Sequence, residues 1–278
     1  MDKIRQALDR VRDERAEPNS RRAETVTPLP EVGSAAPKAT LPASHGPFAY
    51  TKTRVFRPSP DILESNRVLD PRCSDAAPSA FRLLRTQVLQ RMDTHGWRSL
   101  AIFSASPREG KTTVAINLAI SIANDQQHSV LLVDFDFKQP SIAARLGFSP
   151  EYGADDVISG KAKIEDCLYH PEGFERLVIL PTRGRLDDSS EFLSGPRCRE
   201  IINDLRGRYP ERVLLFDLPP VLSADDALSF APFIECGLVV VMENVTRRED
   251  LARTIELLHK TTLLGTVLNQ AFDVPSGY

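Results

Sequence analysis

Residues 99–113 read SLAIFSASPREGKTT, and this stretch decides the fold. Its apolar first half predicts a buried strand, and the Gly-Lys-Thr triplet that ends at Thr112 opens a run with helical spacing. A strand, a short loop and a helix beginning at Lys-Thr can bind phosphate, because N–H groups of the loop and of the helix N-terminus face the anion. In such a loop Lys111 faces the phosphates, and the Thr112 hydroxyl can hold Mg²⁺. The first glycine of the full motif is replaced here by Ala105.

Two later apolar runs end in aspartate. The run VLLVD ends at Asp134 and is followed by Phe-Asp136, whereas VLLFD ends at Asp217 and is followed by Leu-Pro-Pro. Side chains at i and i+2 of a strand point the same way, and ligands of parallel sheets bind at the carboxyl ends of the strands. We therefore expect the three carboxylates to converge on the phosphate-binding loop, where they suit a Mg²⁺ shell and a catalytic base.

Strand-like and helix-like runs alternate through the rest of the chain. The predicted strands are 99–103, 129–133, 177–180, 212–216, 237–242 and 264–268. The predicted helices are 79–92, 111–124, 197–208, 224–230 and 246–259. Alternation with strands that are apolar throughout is typical of an α/β fold, here a P-loop NTPase three-layer sandwich with a mostly parallel central sheet. The last helix begins Thr-Arg-Arg-Glu, which predicts a capping box with Thr246 as the N-cap.

The first 60 residues have a different composition. Residues 1–16 predict a short amphipathic helix, with Ile4, Leu8 and Val11 on one face. Residues 17–60 are rich in Pro, Ala, Ser and Thr and predict a flexible linker, because they carry too little apolar surface to offset the entropy of ordering. The folded domain is expected at 61–278.

Composition excludes several classes of protein. The chain has 278 residues, 41% of them hydrophobic, with 35 Lys+Arg against 38 Asp+Glu and a net charge of −3. So balanced a charge argues against a dedicated nucleic-acid binder. No apolar run approaches the ~18 residues of a membrane-spanning helix. The four scattered cysteines and the polar N-terminus favour a cytoplasmic protein.

From about Val55 to Tyr278 the sequence resembles the bacterial tyrosine kinases of exopolysaccharide and capsule biosynthesis. Within that family it is most similar to the stand-alone cytoplasmic autokinases of exopolysaccharide loci. The resemblance is carried by Pro107–Lys111, Asp134-x-Asp136, Asp217-x-Pro-Pro, the VLSAD run at 221–225, the SEFLS run at 190–194 and the strand that ends at Asn269.

The resemblance implies an ATP- and Mg²⁺-dependent protein-tyrosine autokinase that regulates exopolysaccharide biosynthesis, export or chain length. The catalytic residues that it implies are Lys111, Asp134, Asp136 and Asp217. The implied ATP-binding residues are Ser106, Pro107, Arg108, Glu109, Gly110, Lys111, Thr112, Thr113 and Asn269. The implied Mg²⁺ ligands are Thr112, Asp134 and Asp217. Asp134, helped by Asp136, is expected to orient the acceptor hydroxyl.

The resemblance also implies an acceptor and an assembly. The expected phosphorylation site is Tyr278, the only tyrosine of the C-terminal tail, which a neighbouring subunit would phosphorylate in trans. Arg82 and Arg85 match two positions of the family's Glu-x-x-Arg-x-x-Arg oligomerisation motif, although its glutamate is Ser79 here. The implied partner is a separate membrane-anchored polysaccharide co-polymerase, which would place this chain at the inner face of the cell membrane as a homo-oligomer.

Three alternatives stay open at this point. One is a P-loop ATPase switch of the partition or septum-site type, although those proteins carry a signature lysine where this chain has Ser106. Another is a non-catalytic ATP-binding adaptor of the polysaccharide machinery. A third is a metal-dependent hydrolase that uses the three aspartates.

Overall fold

The computed structural model describes residues 53–70, 77–208 and 211–271. At its centre lies an eight-stranded sheet with the order β1-β4-β5-β3-β6-β2-β7-β8. The strands are β1 (Arg54–Phe56), β2 (Ser99–Ser104), β3 (Ser129–Asp134), β4 (Tyr169–Pro171), β5 (Leu177–Leu180), β6 (Arg212–Asp217), β7 (Cys236–Met242) and β8 (Leu263–Asn269). Every neighbouring pair is parallel except β4 with β5.

Helices cover both faces of this sheet. The α-helices are α1 (Pro60–Ser65), α2 (Ala77–His95), α3 (Lys111–Ala123), α4 (Ile142–Arg145), α5 (Ala154–Ile158), α6 (Ser189–Ser194), α7 (Pro196–Arg208), α8 (Asp226–Phe230) and α9 (Arg248–Leu257). Short 3₁₀ turns occur at Ile164–Cys167 and Ala231–Phe233.

The apolar core has two parts, one on each face of the sheet. Alternate residues of β2 divide between them: Leu100 and Ile102 pack with α2 and α3, whereas Ala101 and Phe103 pack with α7 and α8. All six residues of β2 are buried, as a strand covered on both faces requires. The predicted three-layer α/β fold with a mostly parallel sheet is confirmed.

The strand order brings the predicted motifs together. β6 lies between β3 and β2, and Asp134 at the end of β3 is the register partner of Asp217 at the end of β6. Asp217 is also the register partner of Ile102 in β2, which leads into the phosphate-binding loop. The three motifs therefore meet at the carboxyl edge of adjacent strands.

Several predicted helix and strand ends differ from the structure by one to three residues, and two differences matter more. Residues 54–56, assigned to the linker, form strand β1, which pairs with β4 and lets Phe56 stack on Phe148 with ring centroids 3.9 Å apart. This aromatic contact holds a three-residue strand that its proline-rich surroundings hide. The last helix begins at Arg248, and Thr246 does not cap it.

The predicted helix 1–16 and linker residues 17–52 lie outside the described residues. No described helix is long and apolar enough to cross a membrane.

Candidate active site

The phosphate-binding loop joins β2 to α3, and its last residue is a glycine. Gly110 has φ +89°, a left-handed conformation that favours glycine. The side-chain amide of Asn269, at the end of β8, donates a hydrogen bond to the carbonyl oxygen of Glu109 at 3.0 Å. A Cβ atom at residue 110 would lie 1.9 Å from that amide nitrogen, so only glycine fits. Asn269, which the resemblance implies as an ATP-binding residue, therefore braces the loop itself.

A buried carboxylate holds the same loop from inside. Glu109 is 1% exposed, and its Oε2 accepts the N–H of Ser106 at 3.1 Å. Its Oε1 accepts the hydroxyl of Thr246 at 2.7 Å, and the Thr246 oxygen in turn accepts the N–H of Met242 at 2.9 Å. The loop is thus tied to the turn between β7 and α9. Sequence reasoning missed this link because Thr246 reads as a helix cap.

Lys111 is the buried cation of the site. Its Nζ donates to Asp217 Oδ1 at 2.6 Å and lies 3.4 Å from Asp136 Oδ2. Burial opposes the positive charge, but the carboxylates of Asp217 and Asp136 outweigh it, so the pKa of Lys111 is raised. The hydroxyl of Thr112 donates to the second oxygen of Asp217 at 2.7 Å. One carboxylate therefore holds both the lysine and the threonine of the Gly-Lys-Thr triplet.

Asp134 and Asp136 differ in their surroundings. Asp134 is fully buried, and its two oxygens accept backbone N–H groups from Asp136 at 3.2 Å and from Ser141 and Ile142 at 3.0 Å each. Burial, and after it the charge of Asp217, raise the pKa of Asp134 to about 8. Asp136 accepts the N–H of Gln139 at 2.9 Å and lines the open pocket. Asp134 thus shapes the loop, and Asp136 faces the pocket.

A cavity of about 280 Å³ opens beside these groups. It is lined by Ser104, Pro107, Arg108, Gly110, Lys111, Thr112, Asp136, Gln139, Pro140, Ser141, Arg145 and Pro220. Arg108 is exposed and has φ +68°, an uncommon conformation for a residue with a side chain. Arg145, which sequence reasoning did not single out, donates from Nη1 to the hydroxyl of Thr113 at 3.0 Å.

The structure brings most of the predicted site residues to this edge of the sheet, but it does not place the assembly residues there. Arg82 is exposed on α2, whereas Arg85 donates to the carbonyl oxygen of Ser121 in α3 at 3.1 Å and so serves packing within the chain. Tyr278 lies outside the described residues.

The donor set of the pocket fits a magnesium nucleotide. No group of three or more His, Cys, Asp or Glu residues within 53–70, 77–208 and 211–271 is arranged to hold a metal by itself. Mg²⁺ in phosphoryl-transfer sites is bound by one or two carboxylates together with substrate phosphates, so such a group is not required. A threonine hydroxyl, a neighbouring carboxylate and a loop that closes on a helix N-terminus supply the protein share of that set.

No protein-family model matches the chain. Tyrosine-protein kinase YwqD of Bacillus subtilis is 28% identical over 191 residues, which are 68% of this chain and 79% of that protein. The crystal structure of the VpsO kinase domain is 30% identical, with a TM-score of 0.63, and the match covers 70% of this chain and 96% of that one. The chain belongs to the bacterial tyrosine-kinase family.

Other members of this kinase family extend well beyond the matched region. The chain spans 33% of the length of the tyrosine-protein kinase wzc of Salmonella typhimurium. The P-loop fold also extends beyond the kinases. The septum site-determining protein MinD of Pyrococcus horikoshii, solved with Mg-ADP, is 28% identical with a TM-score of 0.52, over 64% of this chain and 74% of that one.

Proposed function

We propose that this protein is an ATP-dependent protein-tyrosine autokinase that regulates exopolysaccharide biosynthesis, export or chain length. The observation that carries the proposal is the buried ammonium of Lys111, held by Asp217 and Asp136 beside a phosphate-binding loop. A fixed cation next to N–H groups that face an anion is what phosphoryl transfer demands, because catalysis there is mostly positioning and charge stabilisation.

The loop and its neighbours would hold the nucleotide. The residues assigned to ATP are Ser106, Pro107, Arg108, Glu109, Gly110, Lys111, Thr112 and Thr113, with Asn269 bracing the loop. Thr112 would hold Mg²⁺ together with Asp217 and, through water or directly, Asp134, whose carboxylate also holds the neighbouring loop in place. Mg²⁺, when bound, neutralises charge on the phosphates. Lys111 stabilises the charge that develops on the transferred phosphoryl group.

Asp136 is the residue best placed to align the tyrosine that accepts phosphate. It lines the pocket and lies beside Lys111, whereas Asp134 is fully buried and does not line the pocket. A tyrosine hydroxyl has a pKa near 10 and a carboxylate near 4, so Asp136 cannot remove the proton early. It orients the hydroxyl and takes the proton late in the transfer.

The acceptor and the assembly complete the proposal. Tyr278 would enter the pocket of a second copy of the chain, which makes the reaction intermolecular within a homo-oligomer. The proposed activator is a separate membrane-anchored polysaccharide co-polymerase, which would hold the kinase at the inner face of the membrane.

A mixing experiment tests the activity and its direction. Lys111→Ala keeps the acceptor but loses the catalytic cation, and Tyr278→Phe keeps the cation but loses the acceptor. Each variant alone is expected to give no phosphotyrosine with ATP and Mg²⁺. Mixed together, they are expected to give phosphotyrosine on residue 278 of the Lys111→Ala chain, identified by tandem mass spectrometry. Lys260→Ala, which removes an exposed lysine, is the matched control and keeps wild-type activity.

The other outcomes separate the alternatives. Release of inorganic phosphate from ATP without phosphotyrosine would identify a switch ATPase of the partition or septum-site type. Nucleotide binding with neither product would identify a non-catalytic adaptor. If the assay with the co-polymerase added also gives no phosphotyrosine, the proposal is wrong.

A further inference from the structure

Arg145 is a half-buried cation with one neutral partner. It ends helix α4, and among the residues that the structure describes its guanidinium donates a single hydrogen bond, to the hydroxyl of Thr113. No carboxylate in the described part of the chain forms an ion pair with it. Because guanidinium carries five N–H donors in a planar fork, most of its capacity is left for another ligand.

The pocket beside Arg145 accepts anions. Arg145 lines the same 280 Å³ cavity as Lys111, whose charge is already compensated by Asp217 and Asp136. The positive charge that remains uncompensated there comes from Arg145, from Arg108 and from the N-terminus of the 13-residue helix α3. A partly desolvated charge without a counter-charge favours binding of an anion that fits its fork.

The position of Thr113 indicates which phosphates Arg145 reaches. Successive residues of a helix are rotated by about 100°, so Thr113, which contacts Arg145, lies on a different side of α3 from Thr112, which contacts Asp217. Lys111 and Thr112 serve the β- and γ-phosphates and Mg²⁺, whereas the loop N–H groups hold the α- and β-phosphates. Arg145 therefore approaches the nucleotide from the side of the α- and β-phosphates.

We infer that Arg145 is a nucleotide-binding residue that holds the α,β-diphosphate through its guanidinium, with Thr113 keeping the fork in place. The inference rests on the proposed kinase function, because it deepens the assignment of the same pocket. Contacts to the diphosphate are the same for ATP and ADP, so Arg145 contributes uniform binding rather than stabilisation of the transition state. Its loss raises KM for ATP and leaves kcat nearly unchanged.

Calorimetric titration of ADP·Mg²⁺ and of a non-hydrolysable ATP analogue with Mg²⁺ tests this assignment. Arg145→Ala is expected to weaken both affinities by the same factor, about ten- to a hundredfold, as expected for charged hydrogen bonds. Arg145→Lys, which keeps the charge but not the fork, is expected to lie between. Arg253→Ala removes an exposed arginine of α9 and is expected to stay within about twofold of wild type.

A second measurement separates binding from packing. The melting temperature of the nucleotide-free Arg145→Ala protein is expected to match wild type, with the stabilisation by ADP reduced. Unchanged affinities overturn the inference, and so does a weakening of the ATP analogue alone, which would place the guanidinium at the γ-phosphate. A lower melting temperature of the nucleotide-free protein with unchanged affinities assigns a structural role instead. If wild type itself binds neither nucleotide, the proposed function fails first.

Discussion

The central strands carry a polar cluster at each end, and the two clusters differ in their burial and in their chemistry. At the carboxyl edge, Lys111 lies among three aspartates. At the amino edge, Glu235 accepts the N–H groups of Arg98 and Ser99 at 2.7 Å each and the Ser99 hydroxyl at 2.8 Å. Both clusters border hollows, of about 280 Å³ and 370 Å³. Cavity size therefore does not distinguish a functional site from a structural one in this protein.

The electrostatics of the two clusters do distinguish them. Burial raises the pKa of Glu235, but hydrogen bonds from Arg98 and Ser99 outweigh it, and the net direction is down. That carboxylate is stabilised in its charged form, and it already accepts hydrogen bonds from Arg98 and Ser99. At the other end, burial and, after it, crowding by the like charge of Asp217 raise the pKa of Asp134 to about 8. Such crowding costs stability and is typical of sites that bind or react with a further ligand.

The largest effect is expected from breaking the carboxyl-edge cluster. Asp217→Asn removes the negative charge nearest to Lys111 and leaves the longer carboxylate contact to Asp136, and breaking a buried ion pair costs about 3 kcal/mol. Autophosphorylation is expected to fall at least ~10³-fold, because one carboxylate orients both Lys111 and Thr112. Urea unfolding and a phosphotyrosine time course measure the two effects. A variant with wild-type turnover would exclude Asp217 from the site.

The amino-edge cluster is expected to affect stability alone. Glu235→Gln keeps the shape of the side chain but loses the charge that strengthens three hydrogen bonds, at a cost of about 1–2 kcal/mol. Autophosphorylation at a temperature where the variant is folded should equal that of wild type. A large loss of turnover in fully folded protein would show that the two ends of the sheet are coupled.

The pH dependence of stability sharpens the same contrast. The pKa of Glu235 is lower in the folded chain than its ordinary value of 4.5. Its contribution to the stability of the folded protein is therefore complete above about pH 4.5. This contribution is lost as the pH falls through the pKa that Glu235 has in the folded protein. Urea unfolding from pH 7 down to pH 3 should show a steeper loss of stability for wild type than for Glu235→Gln. Parallel curves would mean that Glu235 does not carry this dependence.

The smallest effect is expected at the strained residue of the loop. Arg108→Gly relieves a left-handed backbone conformation but adds freedom to the unfolded chain, so the net gain in stability is about 0.5 kcal/mol. Affinity for ADP·Mg²⁺ is expected to fall a fewfold, because the arginine lines the phosphate pocket. Thermal unfolding and calorimetry measure both. A less stable variant would mean that Arg108 holds the loop by contacts of its side chain.

The sequence predicts those parts of the site that local patterns encode. Lys111 and Thr112 begin a helical run, Asp134 and Asp217 end apolar runs, and Asp136 lies two residues beyond Asp134. The carboxyl ends of parallel strands meet at one edge. The role of Thr246 is not predicted by local patterns. Its spacing from the following glutamate is that of a capping box, but its hydroxyl bonds Glu109, 137 residues away, and a tertiary hydrogen bond replaces the local one.

Features that depend on packing between distant segments could not be predicted. Strand β1 is held by β4 and by the ring of Phe148. It is three residues long, which is too short for a periodic sequence pattern to predict it. Arg145 lies in a short helix outside every motif and becomes visible only through its contact with Thr113. Asp134 and Asp136 likewise differ in a way that no spacing rule predicts, because only Asp136 lines the pocket and Asp134 is fully buried.

Calorimetric titration of ATP·Mg²⁺ tests the division between the two ends of the sheet most directly. Wild type and Glu235→Gln are expected to bind with similar heat and affinity, and Lys111→Ala is expected to give no measurable binding. Equal binding by wild type and Lys111→Ala, or no heat from wild type, would contradict the assignment of the carboxyl edge as the nucleotide site.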